Sequence, residues 1–184
     1  MDVFQLALTH TLHHEGVDSD HPADRGGVTK YGISIRFLRA EGHDVDGDGD
    51  VDEDDIHALT KDHAAAVYRR YFWDRNGLDK IGSGIISRKI FDIAVNAGSR
   101  AAWKIAQKAY NEARRKHYVS KPGPLTVDGV PGPATRAAFN NNAKLDYQII
   151  NELREQQKKF YAGIIIRDPT QKAFELGWLR RACY

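Results

Sequence analysis

A chain of 184 residues, 41% hydrophobic and 28% charged, has the make-up of one soluble globular domain, with room for a small appended lobe. Its net charge of +2 could assist binding to a polyanion such as a cell wall, but no basic run singles out nucleic acid, and none is expected as a partner. No apolar stretch approaches the roughly 20 residues a membrane-spanning helix needs, and Cys183 is a lone cysteine, so neither membrane insertion nor an intrachain disulfide is expected.

The opening "MDVFQLALTHTLHHEG" has no basic leader and no small-residue cleavage site, so export by a signal peptide is not expected. Val3, Phe4, Leu6, Ala7, Leu8 and Leu12 recur at helical spacing, which predicts a helix from about Asp2 to His14 stopped by Gly16. Residues 16–34 hold turn formers, with β-prone pieces around Val28 to Ile33. "SIRFLRAEG" predicts a short helix ended by Gly42. Residues 55–73 read as helical, with Thr60 a cap before Lys61. Helices are predicted over 85–98 and 99–116, then a Pro/Gly-rich connection and a helix opening near Pro133. The last long helix runs from about Lys144 to Ile166, and Asp168-Pro169 breaks it before a short tail. The prediction is a mainly α protein with one small β-hairpin patch near residues 16–34.

"DVDGDGDVDEDD" places Asp44, Asp46, Asp48, Asp50, Asp52 and Asp55 at positions 1, 3, 5, 7, 9 and 12 of a loop, with Gly49 at position 6 and Val51 at position 8. A hard cation needs six to eight converging oxygens, and glycine at position 6 permits the sharp turn that brings them together. Without a cation these carboxylates repel one another. The spacing resembles the calcium loop of EF-hands, and the Asp at position 12 resembles dockerin modules. Calcium held by Asp44, Asp46, Asp48, Asp50 and Asp55 is expected, as a structural staple rather than a catalytic metal.

Glu15 ends the first predicted helix, where the negative end of the backbone dipole disfavours an ionised carboxylate. A carboxylic acid kept protonated near neutral pH is what glycoside cleavage asks of its general acid. Asp24 lies nine residues on, and Gly26 and Gly27 let the backbone approach a bulky sugar chain. Thr29 and Tyr31 are placed to hold a water or a sugar hydroxyl.

In combination, "EG" at 15–16, "DRGGVTKYGIS" at 24–34, "YRRYFWD" at 68–74, "FDIAVNAG" at 91–98 and "VDGVPGPATRAA" at 127–138 resemble the phage endolysins of glycoside hydrolase family 108. The resemblance spans nearly the whole chain. It implies an N-acetylmuramidase with an α+β lysozyme-like fold. Residues 1–100 would form the muramidase region, including the loop 44–55. Residues 101–184 would form a helical peptidoglycan-binding-type region packed on it as one compact unit. The family opens its site with E-G-G-Y, whereas Val17 and Asp18 stand in place of the second glycine and the tyrosine. By resemblance Glu15 is the general acid, and Asp24 is base, nucleophile or electrostatic stabiliser. The Glu-x8-Asp-x4-Thr spacing also looks like the Glu/Asp/Thr triad of other phage-type lysozymes, with Thr29 one residue early. The acidic loop is no part of the family pattern and looks like an insertion.

The resemblance further implies cleavage of the β-1,4 bond between N-acetylmuramic acid and N-acetylglucosamine for host cell lysis. A monomer is expected, held in the host cytoplasm until, as the family implies, a holin lesion admits it to the periplasm and wall. The compact layout, without an obvious separate wall-targeting domain, points to a Gram-negative host. Tyr31 and Asn96, with Trp103, are expected to line the sugar groove, while Tyr68, Tyr71, Phe72 and Trp73 are expected in the core. The alternatives are a lytic transglycosylase using the same Glu and a non-catalytic peptidoglycan-binding module. A zinc site on His10 and His14 fits poorly, because no third ligand is evident.

Overall fold

The first helix starts where Asp2 Oδ1 accepts the backbone N–H of Gln5 at 2.7 Å, satisfying one of the donors a helix start leaves open. A computed structural model of the chain describes residues 2–15, 18–19, 28–118 and 122–183, with the backbone alone at 13–15 and 18–19. Contacts divide it into two units, Met1–Tyr71 and Phe72–Tyr184. The mainly α, lysozyme-like class expected from the sequence is the class observed.

In the first unit, α1 spans Val3–Glu15 and buries Phe4, Ala7, Leu8 and Thr11, the inner face of a helical repeat. Strands β1 (Asp18–Ser19), β2 (Thr29–Lys30) and β3 (Ile33–Ser34) form an antiparallel three-stranded sheet in that order. The register pairs Asp18 with Lys30 and Ser19 with Thr29 on one side, and Thr29 with Ser34 and Lys30 with Ile33 on the other. Helix α2, Ile35–Glu41, starts on the Ser34 hydroxyl, which accepts the Phe37 N–H at 3.3 Å, and stops at Gly42 in the left-handed conformation at φ 59°.

The helix expected over 55–73 divides in three. Helix α3, Glu53–Ala58, ends where Leu59 turns to extended backbone and sinks its side chain into the core at 2% exposure. Thr60 then caps α4, Lys61–Val67, its hydroxyl accepting the His63 N–H at 3.1 Å. From Tyr68 to Asp74 the helix widens to a π-helix, which carries the chain from the first unit to the second. Tyr68, Tyr71 and Trp73 are buried there and Phe72 is half-buried, so this aromatic run is mainly core, as expected.

The second unit is helical. Helices α5 (Gly84–Ala97) and α6 (Ser99–Lys116) meet at Gly98, whose φ of 85° suits glycine alone. Pro133 opens α7, Pro133–Asn140, and a long α8 spans Asp146–Arg167. Helices α5, α6 and α8 pack on one another around Ile90, Phe91, Trp103, Tyr110, Ile149 and Leu153. The expected short tail is instead a further helix, α9, Glu175–Cys183, which packs on α8 through a stacked Tyr161–Trp178 pair with centroids 5.0 Å apart.

A buried charge cluster fixes α9 to α5. Arg181 Nε donates to Asp92 Oδ1 at 2.8 Å, and Lys89 Nζ donates to the Arg181 carbonyl at 2.9 Å while lying 3.7 Å from Asp92 Oδ2. Burial depresses the Lys89 pKa to about 8, against the opposing pull of Asp92. Below that value both folded and unfolded chains hold the proton, and the folded state bears the cost of a buried charge. Between about 8 and the ordinary lysine value of 10.5 the folded chain has released a proton the unfolded chain still holds. Stability contributed by Lys89 therefore rises with pH across that window. Urea unfolding of wild type and Lys89→Met at several alkaline pH values should show the difference moving in favour of wild type, and a flat difference would refute the assignment.

Candidate functional site

Two of the residues singled out for glycoside cleavage, Glu15 and Thr29, fall on α1 and the small sheet. Glu15 is the last residue of α1, as its predicted position at a helix end required. Its side chain, and Asp24 entirely, lie outside the described residues. Thr29 is in β2, between Ser19 on one neighbour and Ser34 on the other, and is half-buried. The β1–β2 pairing thus sets Thr29 against a strand that begins three residues beyond Glu15, at Asp18. His10 is half-buried on α1, while the His14 side chain needed for the zinc reading lies outside the described residues.

Tyr31 and Gly32 form the two-residue connection between β2 and β3, both with positive φ, 53° and 76°. That combination matches the twist of a tight hairpin, and asparagine or glycine ordinarily supplies it. A tyrosine there carries left-handed strain of about 1 kcal/mol or more. Its carbonyl accepts a hydrogen bond from the Tyr68 hydroxyl at 3.0 Å, from the first turn of the π-helix, and Lys30 Nζ sits 5.8 Å from its ring centroid. Sequence reasoning proposes Tyr31 but misses Tyr68 as its anchor. The only hint is that Tyr68 is a tyrosine rather than a phenylalanine at a core position.

Two further residues expected at a sugar groove belong to the second unit. Trp103 is 1% exposed, so it is a core residue and not a sugar platform. Its indole N–H donates to Asn76 Oδ1 at 2.9 Å, and Asn76 Nδ2 in turn donates to the Phe72 carbonyl and Ser99 Oγ. A buried indole needs such a partner, and Asn76 supplies it. Asn96 is exposed near the end of α5, and its Oδ1 accepts the Tyr161 hydroxyl at 2.7 Å.

The acidic loop closes on itself. Asp44 accepts the N–H of Gly47 through Oδ1 and of Gly49 through Oδ2, at 2.6 and 3.0 Å. Gly47 and Gly49 take φ of 81° and 104°, which no β-substituted residue adopts readily. Asp55 is 1% exposed and accepts the N–H groups of Val45 and Asp52, so one carboxylate joins the two ends of the loop and completes the capping box of α3. Burial alone would raise the Asp55 pKa, but these backbone donors outweigh it and hold it down. Asp50 is shifted the other way by repulsion from Asp48 and then Asp52. Oxygens of Asp44, Asp46 and Asp48 come within 4.8 Å of one another, the geometry of donors that can share one ion.

Comparison with known proteins places this arrangement. Residues 8–98 match the Glycosyl hydrolase 108 family, and residues 102–183 match a Predicted Peptidoglycan domain. Among solved structures the chain is similar to Brucella abortus SagA, with a TM-score of 0.75 and 30% identity over 98% of this chain and 89% of that one. No curated protein matches. The chain belongs to glycosyl hydrolase family 108 and is a peptidoglycan-lytic enzyme.

The hairpin strain gives a direct test of whether Tyr31 is kept for function. Tyr31→Gly removes the ring and relieves the left-handed penalty, so its melting temperature should equal or exceed that of wild type while lysis of permeabilised cells falls several-fold. A variant with undiminished lysis would remove Tyr31 from the site.

Proposed function

We propose that the enzyme is an N-acetylmuramidase of the phage endolysin type, hydrolysing the β-1,4 bond between N-acetylmuramic acid and N-acetylglucosamine. The family match over 8–98 carries this reading, because that segment contains Glu15, Asp24, Thr29 and Tyr31 together. The backbone adds that Glu15 closes α1, where the helix dipole favours the protonated acid.

In the proposed step Glu15 gives its proton to the glycosidic oxygen as the bond to the anomeric carbon breaks. Water supplies the hydroxyl that the anomeric carbon gains, and the released proton returns to a carboxylate. Asp24 manages the opposite face as base, nucleophile or stabiliser, the choice depending on its separation from Glu15. Thr29 orients the water or a sugar hydroxyl, and Tyr31 packs against the glycan. Asn96, exposed on the second unit, is proposed by itself as a further contact to the glycan. Access to the wall would depend on a holin lesion, with the monomeric enzyme waiting in the host cytoplasm.

Calcium in the loop 44–55 is the second part of the proposal. The residues fit the ion: an oxygen cluster, glycines at the turns, and like-charge repulsion that a cation would relieve. Asp44, Asp46, Asp48, Asp50 and Asp55 would hold it, and its contribution would be to stabilise the loop, not to act on the glycan.

Three measurements test these readings. Glu15→Gln should lose turbidity clearing on permeabilised Gram-negative cells by at least about 100-fold, the scale of general acid catalysis, while keeping its melting temperature. Mass spectrometry of wild-type digests should show reducing N-acetylmuramic acid ends, and a 1,6-anhydro product would replace hydrolysis with transglycosylation. For the loop, chelation should lower the melting temperature and calcium should restore it. An unchanged melting curve, with no metal in the purified protein, would remove calcium from the account.

A further inference from the structure

Within the second unit, α6 and α8 enclose a groove of about 640 Å³ that the reaction above does not use. Arg100, Lys104 and Lys108 recur every fourth residue along α6, so they share one face. Lys159, Gly163 and Arg167 repeat that spacing on α8. Each stripe is therefore about 12 Å long at 1.5 Å per residue. Among the described residues, no carboxylate lines the groove. Glu112 and Glu155 act on Lys159, and Asp128 acts on Arg100, from outside it. Between the basic stripes lies an apolar floor that includes Ile105 and the half-buried Phe160.

Gly163 is the informative residue. Glycine inside a helix costs about 1 kcal/mol relative to alanine, so an unneeded one is a liability. Here a Cβ would meet only Arg167 Nη1, at 3.9 Å, which is ordinary contact. Packing does not demand the glycine. What it does is leave the α8 wall of the groove without a side chain between Lys159 and Arg167.

We propose that this groove binds the stem peptide of peptidoglycan, with its basic stripes pairing the peptide carboxylates and its apolar floor taking alanine methyl groups. The inference rests on the reading that the enzyme acts on peptidoglycan. The amino sugars of that polymer are neutral, and its charge sits on the peptide, so a basic groove in the segment matched to a peptidoglycan domain is complementary to the peptide alone. Contacts between exposed lysines and carboxylates would be individually weak and sensitive to salt.

Titration calorimetry on the full chain provides the test, using the disaccharide–tetrapeptide that muramidase digestion releases and the same disaccharide with its lactyl carboxyl capped as a simple amide in place of the peptide. The intact muropeptide should bind, and removing the peptide should weaken binding by roughly 10-fold or more. Lys104→Glu with Lys108→Glu should weaken it as much, Lys104→Ala with Lys108→Ala should weaken it less, and Gly163→Leu should obstruct it. Gly163→Ala should leave it unchanged. Melting curves would establish that each variant is folded. Peptide-free glycan strands should be cut equally by wild type and the charge variants, while Glu15→Gln cuts neither strands nor whole sacculi. Equal binding of the two disaccharides, or of muropeptide by wild type and the double glutamate variant, would overturn the proposal. So would a charge-variant defect confined to inorganic polyphosphate. Failure of the muramidase reading would show separately, as wild type that cuts no glycan.

Discussion

Tyr161 is the joint on which the helical unit turns. It is 3% exposed; its hydroxyl donates to Asn96 Oδ1 at 2.7 Å and accepts from Gln157 Nε2 at 2.9 Å, and its ring stacks on Trp178. One side chain thereby holds the end of α5, the middle of α8 and the body of α9. Fixing its direction also fixes the rotation of α8 about its own axis, because neighbours on a helix are 100° apart. With Tyr161 turned inward, Lys159, Phe160 and Gly163 are left on the face that meets α6 across the groove. The joint would fail without both polar partners, since a buried hydroxyl lacking one costs about 1–3 kcal/mol.

The first unit depends on a different economy, in which single polar groups serve two elements. Asp55 closes the acidic loop and starts α3 with the same carboxylate. The next residue, Ile56, is 1% exposed and anchors α3 in the core. Lys30 on β2 then donates to the His57 carbonyl at 2.8 Å. Loop, helix and hairpin are consequently in material contact from Asp44 to Tyr31. Ordering of the loop and ordering of the hairpin are two ends of one packed path.

Much of this architecture is legible in the sequence, and the exceptions have identifiable causes. Gly42, Thr60, Gly98 and Pro133 announce helix ends through chemistry local to each residue, and the structure uses all of them. Helix α9 is hidden by Asp168-Pro169, which reads as an ending, yet Phe174, Trp178 and Ala182 recur at four-residue spacing and bring the chain back onto α8. The π-helix is hidden because over two turns its pattern of aromatic residues satisfies an ordinary helix equally well. Trp103 defeats a reading by residue type: its partner Asn76 lies 27 positions away and makes an indole at home in the core. The partner of Asn96 is equally remote in sequence, since the hydroxyl it accepts comes from 65 positions downstream. The positive φ of Tyr31 has no signature at all, because tyrosine is not a residue that usually supplies it. For the site, position on the chain and chemistry of type are readable at Glu15 and Thr29, whereas the groove between α6 and α8 requires two stripes that only folding brings together.

The open form of that groove has a consequence for how such an enzyme would meet its target. Its basic side chains are exposed and long, so each contact forms and breaks rapidly and none confers tight residence. The wall, however, is a lattice in which the same peptide recurs at every disaccharide. A molecule released from one copy is already beside the next, and the effective concentration of the neighbouring copy replaces intrinsic affinity. Weakness would then be an advantage: a second foothold too firm would anchor the enzyme at its first cut, whereas a loose one keeps it at the surface while leaving it free to move along the polymer.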